Sequence, residues 1–120
     1  MAFVDGVAIP VPEANRAVYR KMAKKMAKLF VKCGALEVVD GWGVDVPDGK
    51  MTSFPMAVKR QADEAVVLGW IVWPNKRARD RGWKQAMADP MMNAAPRGVF
   101  DGKRMIFGGF EVIQSTRKGS

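Results

Sequence analysis

Asp5 and Glu111 are the carboxylates whose neighbours could make them reactive. Asp5 interrupts the apolar stretch Phe3-Val4-Asp5-Gly6-Val7-Ala8-Ile9, and Glu111 follows Gly108-Gly109-Phe110 near the other end of the chain. A carboxylate drawn into apolar surroundings is costly unless it is paired or protonated. The raised pKa that follows would suit a general base. Arg104, shortly before Glu111, carries a guanidinium fork that could hold a ligand carboxylate in bidentate fashion. Trp42, set between Gly41 and Gly43, and Trp70 could wall an apolar cavity. Each has an ordinary structural alternative. Asp5 could pair with Arg104, Arg104 with Asp101, and the tryptophans could fill a core or a subunit interface.

The chemistry left out is as informative. The chain has no histidine and a single cysteine, Cys33. A Ser-His or Cys-His nucleophile pair, a histidine-ligated haem and an ordinary zinc site therefore all lack their residues. No cofactor and no metal are expected. There is neither a Walker loop nor a dinucleotide fingerprint around Gly41-Trp42-Gly43. Acid–base work would fall to Asp, Glu, Tyr19, Lys or water.

Four strands and two helices must position these groups. Phe3 to Val11 reads as a strand closed by Pro10 and Pro12. From about Glu13 to Cys33, Tyr19, Met22, Met26, Leu29 and Phe30 recur at three- and four-residue steps, with Arg16, Arg20, Lys24 and Lys28 on the other side, and Gly34 stops the helix. A second strand runs from Ala35 to about Val46, and Ser53 with Pro55 marks a short helical turn. Asp63 to Trp73 is the third strand. Lys76 to about Ala88 is the second helix, weakened by Gly82, and a loop follows from Met91 to Gly98. Arg104 to Ile113 is the last strand, with a bulge expected at its glycine pair. The order β-α-β-β-α-β is that of the split βαβ, ferredoxin-like α+β fold with a four-stranded antiparallel sheet. It forms one domain over residues 1–114, with a polar tail at 115–120.

Ala65 to Trp73 contains only apolar residues and glycine. Such a strand is dry on both faces, yet two helices cover one face of a four-stranded sheet. The simplest second cover is another copy of the same sheet, so a homodimer built as an α/β barrel is expected.

The segments Val4 to Gly6 (VDG), Pro10 to Pro12 (PVP), Asp45 to Lys50 (DVPDGK), Thr52 to Lys59 (TSFPMAVK), Val66 to Ile71 (VVLGWI) and Phe100 to Ile113 (FDGKRMIFGGFEVI) run through the chain in order. Together they resemble the YbaA-like bacterial family of dimeric α+β-barrel proteins without established function. The resemblance implies the dimeric ferredoxin-like fold. Related dimeric α/β barrels include cofactor-free oxygenases and small-molecule isomerases.

Lys and Arg number 20 against 12 Asp and Glu, a net charge of +8. A basic helix face opposite an apolar stripe is what any surface helix shows, and the aromatics needed to stack bases are better used in the dimer, so no specific nucleic-acid partner is expected. No run of about eighteen apolar residues is present, so no membrane span is expected either. With no secretory signal and a lone cysteine, the expected setting is cytoplasmic. Two functions remain. Either the barrel cavity binds a small organic molecule, with Asp5 or Glu111 as catalytic candidates and Trp42, Trp70 and Arg104 as ligand contacts. Or the chain is a non-catalytic interaction dimer whose basic helices meet an acidic partner.

Overall fold

The computed structural model of the chain describes residues 1–119. Its elements are strand β1 (Phe3–Pro12), helix α1 (Arg16–Lys32), strand β2 (Glu37–Trp42), helix α2 (Phe54–Ala57), strand β3 (Glu64–Trp73), helix α3 (Lys76–Ala88), helix α4 (Pro90–Asn93) and strand β4 (Ile106–Glu111). The strands form one antiparallel sheet in the order β2-β3-β1-β4, the ferredoxin-like arrangement. Among the described residues, no helix is long and apolar enough to cross a membrane.

Local chemistry explains the boundaries. Pro12 opens a 3-10 turn at Glu13–Asn15, so α1 begins at Arg16, three residues later than its periodicity suggests. The Ser53 hydroxyl accepts a hydrogen bond from the Met56 amide and starts α2; the Asn75 side chain does the same for α3 through the Ala78 amide. Gly34, at φ +116°, ends α1 in a conformation that favours glycine. The segment read as a loop after Asp89 contains the single turn of α4, which Asp89 caps through the Met91 amide. β2 stops at Trp42 rather than Val46.

The register sorts the strand residues into two sets. Phe3, Asp5, Val7, Ile9 and Val11 of β1 share the helix side with Val67, Gly69, Ile71 and Trp73 of β3. Val38, Asp40 and Trp42 join them from β2, and Phe107, Gly109 and Glu111 from β4. The expected glycine bulge is absent: Gly108 and Gly109 pair in unbroken register with Gly6 and Asp5. The glycine at 109 is needed instead because a Cβ there would come within 2.8 Å of the Phe3 ring and 3.1 Å of the Arg79 guanidinium.

One core under the helices joins Phe3, Leu29, Phe30, Trp73 and Ala86; a second joins Ile9, Val11, Tyr19, Val67 and Val99. On the other side of the sheet, Val58, just after α2, seals against Ala8 and Val66. This covers one end only. Leu68, Trp70, Ile106 and Phe110 all point to that side and remain exposed.

Candidate functional site

Asp5 lies at the centre of a polar node under α3. Its Oδ2 accepts hydrogen bonds from Trp73 Nε1 at 2.9 Å and Trp83 Nε1 at 2.8 Å. Its Oδ1 accepts from Arg79 Nη2 at 2.8 Å, and Arg79 Nε shares both oxygens at 3.1 and 3.2 Å. The bond to Asp5, first among several causes, raises the Arg79 pKa. Aromatic rings close the node. Phe30 meets Trp83 at 4.7 Å and Trp73 at 6.3 Å between centroids, both edge-on, and the Arg79 guanidinium sits 5.2 Å from the centre of the Phe3 ring. The i,i+4 spacing of Arg79 and Trp83 on α3 sends both side chains to the same carboxylate. Trp83 is thus drawn from a basic helix onto this carboxylate, and Arg79 reaches Asp5 as well as its neighbour Asp80, at 3.0 Å. The partner of Asp5 is Arg79, not Arg104.

Beside this node a cleft of ≈ 620 Å³ separates the helices from the sheet. Its floor is Asp5, Val7, Gly69 and Asp40; its roof is Met22, Met26 and Phe30 of α1 with Trp83 of α3; Met92, Phe100 and Met105 close one side. Phe107, on the edge strand and 77% exposed, stands at the mouth. The loop that carries Phe100 is tied down by Asn15, whose Nδ2 donates to the Val99 carbonyl at 2.9 Å.

Two polar groups of this cleft are not part of the Asp5 node. Asp40 has no hydrogen-bond or ion-pair partner among the described residues; it stays exposed to solvent on edge strand β2, and partial desolvation raises its carboxyl above the ordinary range. Tyr19 is buried, and burial first, then the Asp40 carboxylate, pushes its hydroxyl pKa up. At neutral pH Tyr19 is thus a proton donor in hydrogen bonds and Asp40 an acceptor more basic than a fully solvated aspartate. Gly69 makes the room: a Cβ there would lie 3.0 Å from Asp40 Oδ1 and 3.1 Å from Val7 Cγ1. Sequence reasoning missed Asp40. The available signal was the alternation Val38-Asp40-Trp42, which places an acid in the apolar set of β2.

The other sequence candidates scatter. Trp42 faces the helix side at the far end of α1, under the Arg16 guanidinium at 5.3 Å. Trp70 stands on the open face of the sheet, paired with Gly6 and Val39. Arg104 belongs to a 3-10 turn before β4 and grips the buried Glu64 with two bonds of 2.7 and 2.6 Å, while its Nε donates to Asp101 at 3.0 Å. Glu111 is exposed opposite Phe3 at the end of β4. Of the five candidates, Asp5 and Trp70 line the cleft, Asp5 from the helix side of the sheet and Trp70 from a position whose side chain faces the other side; Trp42 lines a neighbouring groove, and Arg104 and Glu111 line neither. Among the described residues no cluster of three or more Cys, Asp or Glu has the geometry to hold a metal ion.

A four-stranded antiparallel sheet in this order, with helices over one face and an apolar cleft beneath them, defines a ferredoxin-like α+β protein. Solved structures share this fold. SnoaB, a cofactor-independent oxygenase from Streptomyces nogalater, is similar with a TM-score of 0.56 at 16% identity, over 96% of this chain and 97% of that one. A putative antibiotic biosynthesis monooxygenase from Bacillus cereus is similar with a TM-score of 0.53 at 15% identity, over 97% of each chain. At these identities the likeness is one of fold. In sequence the chain is 49% identical over 114 residues to the uncharacterized protein YbaA of Escherichia coli K12, covering 94% of this chain and 97% of that protein, and equally to YbaA of Shigella flexneri. Residues 2–102 match the DUF1428 family, and the chain belongs to this bacterial family of proteins of unknown function.

Proposed function

We propose that the cleft between the helices and the sheet binds a small organic molecule, and that Asp40 and Tyr19 are the groups that act on it. The observation that carries this reading is an apolar space of ≈ 620 Å³ lined by a carboxyl, Asp40, that has no protein partner among the described residues and remains open to solvent, its pKa raised by partial desolvation. Cavities that take small molecules combine apolar walls with a few polar groups, and a perturbed acid inside one is a mark of function. Asp40 would accept a proton from an acidic carbon or phenol of the ligand, and the Tyr19 hydroxyl would steady the resulting anion. Deprotonation of this kind opens both isomerisation and, with molecular oxygen as the oxidant, cofactor-independent oxygenation; the fold of the SnoaB oxygenase supports the second.

In this reading Asp5 is a positioning residue. Both its oxygens are occupied by donors, so it holds Arg79 and Trp83 in place. Arg104 and Trp70 serve assembly: Arg104 fastens Glu64, and Trp70 lies in the apolar face through which two chains would form a homodimer.

A thermal-shift screen with small aromatic and aliphatic metabolites tests the binding. Stabilised hits are expected, and they should be lost in Ala27→Phe, which fills the cleft from α1. A screen in which nothing stabilises the wild type, or in which the hits survive that substitution, would overturn the reading.

A further inference from the structure

We propose that the ligand of the cleft is an amphipathic organic anion, its apolar body under α1 and its acidic group in a cationic groove between α1 and β2. This rests on the reading that the cleft binds a small organic molecule, and it adds the chemical class.

A second space of ≈ 470 Å³ opens on the β2 side of α1. Arg16, Arg20 and Lys24, spaced one turn apart, line it. Trp42 forms the opposite wall, with the Arg16 guanidinium 5.3 Å from the centre of its ring. A cation–π contact of this kind holds the guanidinium over the ring, and a guanidinium fork is suited to a carboxylate, phosphate or sulfonate. The groove and the cleft adjoin: Tyr19, Ala23, Ala27, Val38 and Asp40 line both. The alanines at 23 and 27 put little bulk between helix and sheet where the two spaces border each other.

Positive charge predominates here, three cations against the single carboxylate of Asp40. Helix α1 contains no acidic residue at all. None of Arg16, Arg20 and Lys24 has an ion-pair partner among the described residues, whereas Lys76, Arg79 and Arg104 all do. The one carboxylate facing the groove is Asp40, at the neck. A ligand spanning both spaces would therefore place its anion beyond the neck and present its middle, where body and acidic group join, to Asp40 and Tyr19. A neutral molecule of the same size would gain nothing from the three solvent-exposed cations, and a cationic one would be repelled by them.

Two probes separate the possibilities: 1-anilinonaphthalene-8-sulfonate and N-phenyl-1-naphthylamine, which share a ring skeleton and differ by the sulfonate. In fluorescence titrations the wild type should bind the anionic probe about ten-fold or more tighter, the gain expected of one charge-assisted contact. The preference should shrink as salt is raised. The combined variant Arg16→Gln, Arg20→Gln, Lys24→Gln should lose the preference and keep its affinity for the neutral probe, with its melting temperature measured alongside. Ala27→Phe should lose both probes. Equal binding of the two probes by the wild type, or a preference that survives the triple substitution, would overturn the anion inference and leave the cleft reading standing. A parallel loss of the neutral probe in the triple variant would show that the cations merely support α1, and overturns it too. If neither probe binds, or if both still bind to Ala27→Phe, the cleft reading fails and this inference with it.

Discussion

Trp83 Nε1 donates to Asp5 Oδ2 at 2.8 Å across 78 positions of the sequence, joining α3 to the middle of β1. The same oxygen takes the indole N–H of Trp73, a residue with no exposed surface. Asp5→Ala would strand that buried N–H and leave the Arg79 guanidinium with Asp80 as its remaining carboxylate. The expected loss is about 3 kcal/mol, because the buried Trp73 donor goes unpartnered and the bonds from Arg79 and Trp83 are given up as well. Trp83→Phe keeps most of the ring packing and gives up one bond, for about 1 kcal/mol. Urea unfolding of the two variants measures the difference; equal losses would mean that the carboxylate is not the hub.

Helix propensity alone says that Gly82→Ala should stabilise α3 by about 1 kcal/mol. The packing reverses the sign. A Cβ at position 82 would sit 2.3 Å from the Trp73 ring and 2.8 Å from the Cys33 carbonyl. The expected result is a loss of about 1–3 kcal/mol through overpacking, read by thermal or urea unfolding.

Asp40 should cost the fold stability. Its folded pKa is raised, so the penalty of its charge is absent below the unfolded value of about 3.9, grows as pH rises through the folded value, and is complete above it. Asp40→Asn should therefore be more stable than the wild type at pH 7, with the advantage fading as pH falls toward 4. A ligand or activity that depends on Asp40 would be lost in the same variant, the usual trade between stability and a working site. Melting temperatures across the pH series test the first half.

Glu64 behaves in the opposite way. The hydrogen bond from Arg104 is the largest cause that holds its pKa below the usual carboxylate value. Its contribution is present above the unfolded value of about 4.3 and is lost as pH falls through the depressed folded value. Glu64→Gln should lower the melting temperature at neutral pH, and the gap to the wild type should close in acid. Arg104→Met should be worse than Glu64→Gln at neutral pH, since it leaves a buried carboxylate without its cation.

The open face of the sheet carries the proposed assembly. Trp70→Glu or Phe110→Glu places a charge where Leu68, Trp70, Ile106 and Phe110 stand exposed together. Wild type should elute as a dimer in size-exclusion chromatography with light scattering, and either variant as a monomer of 13.2 kDa. A monomeric wild type would end the dimer proposal without touching the cleft, which one chain builds by itself.

Periodicity alone carried the element order. The stripe from Tyr19 to Phe30 and the unbroken apolar run from Ala65 to Trp73 allow few other structures, because a two-residue and a 3.6-residue repeat cannot exchange places. The apolar character of the second face was legible for the same reason, and Leu68 and Trp70 stand exposed on it. The partners of side chains were not legible. Asp5 stood out as an acid among apolar neighbours, but Arg79, Trp73 and Trp83 come to it from 68 to 78 residues away. That meeting depends on the antiparallel register of β1 with β3 and on how closely Gly82 lets α3 approach. The location of the cavity was likewise a tertiary matter. It opens under the helices, where Gly69, Ala23 and Ala27 leave space between elements, and a gap between elements has no period for a sequence to display. Composition and spacing determined which surfaces had to be buried; the packing of helices on the sheet decided which polar groups were left facing an empty space.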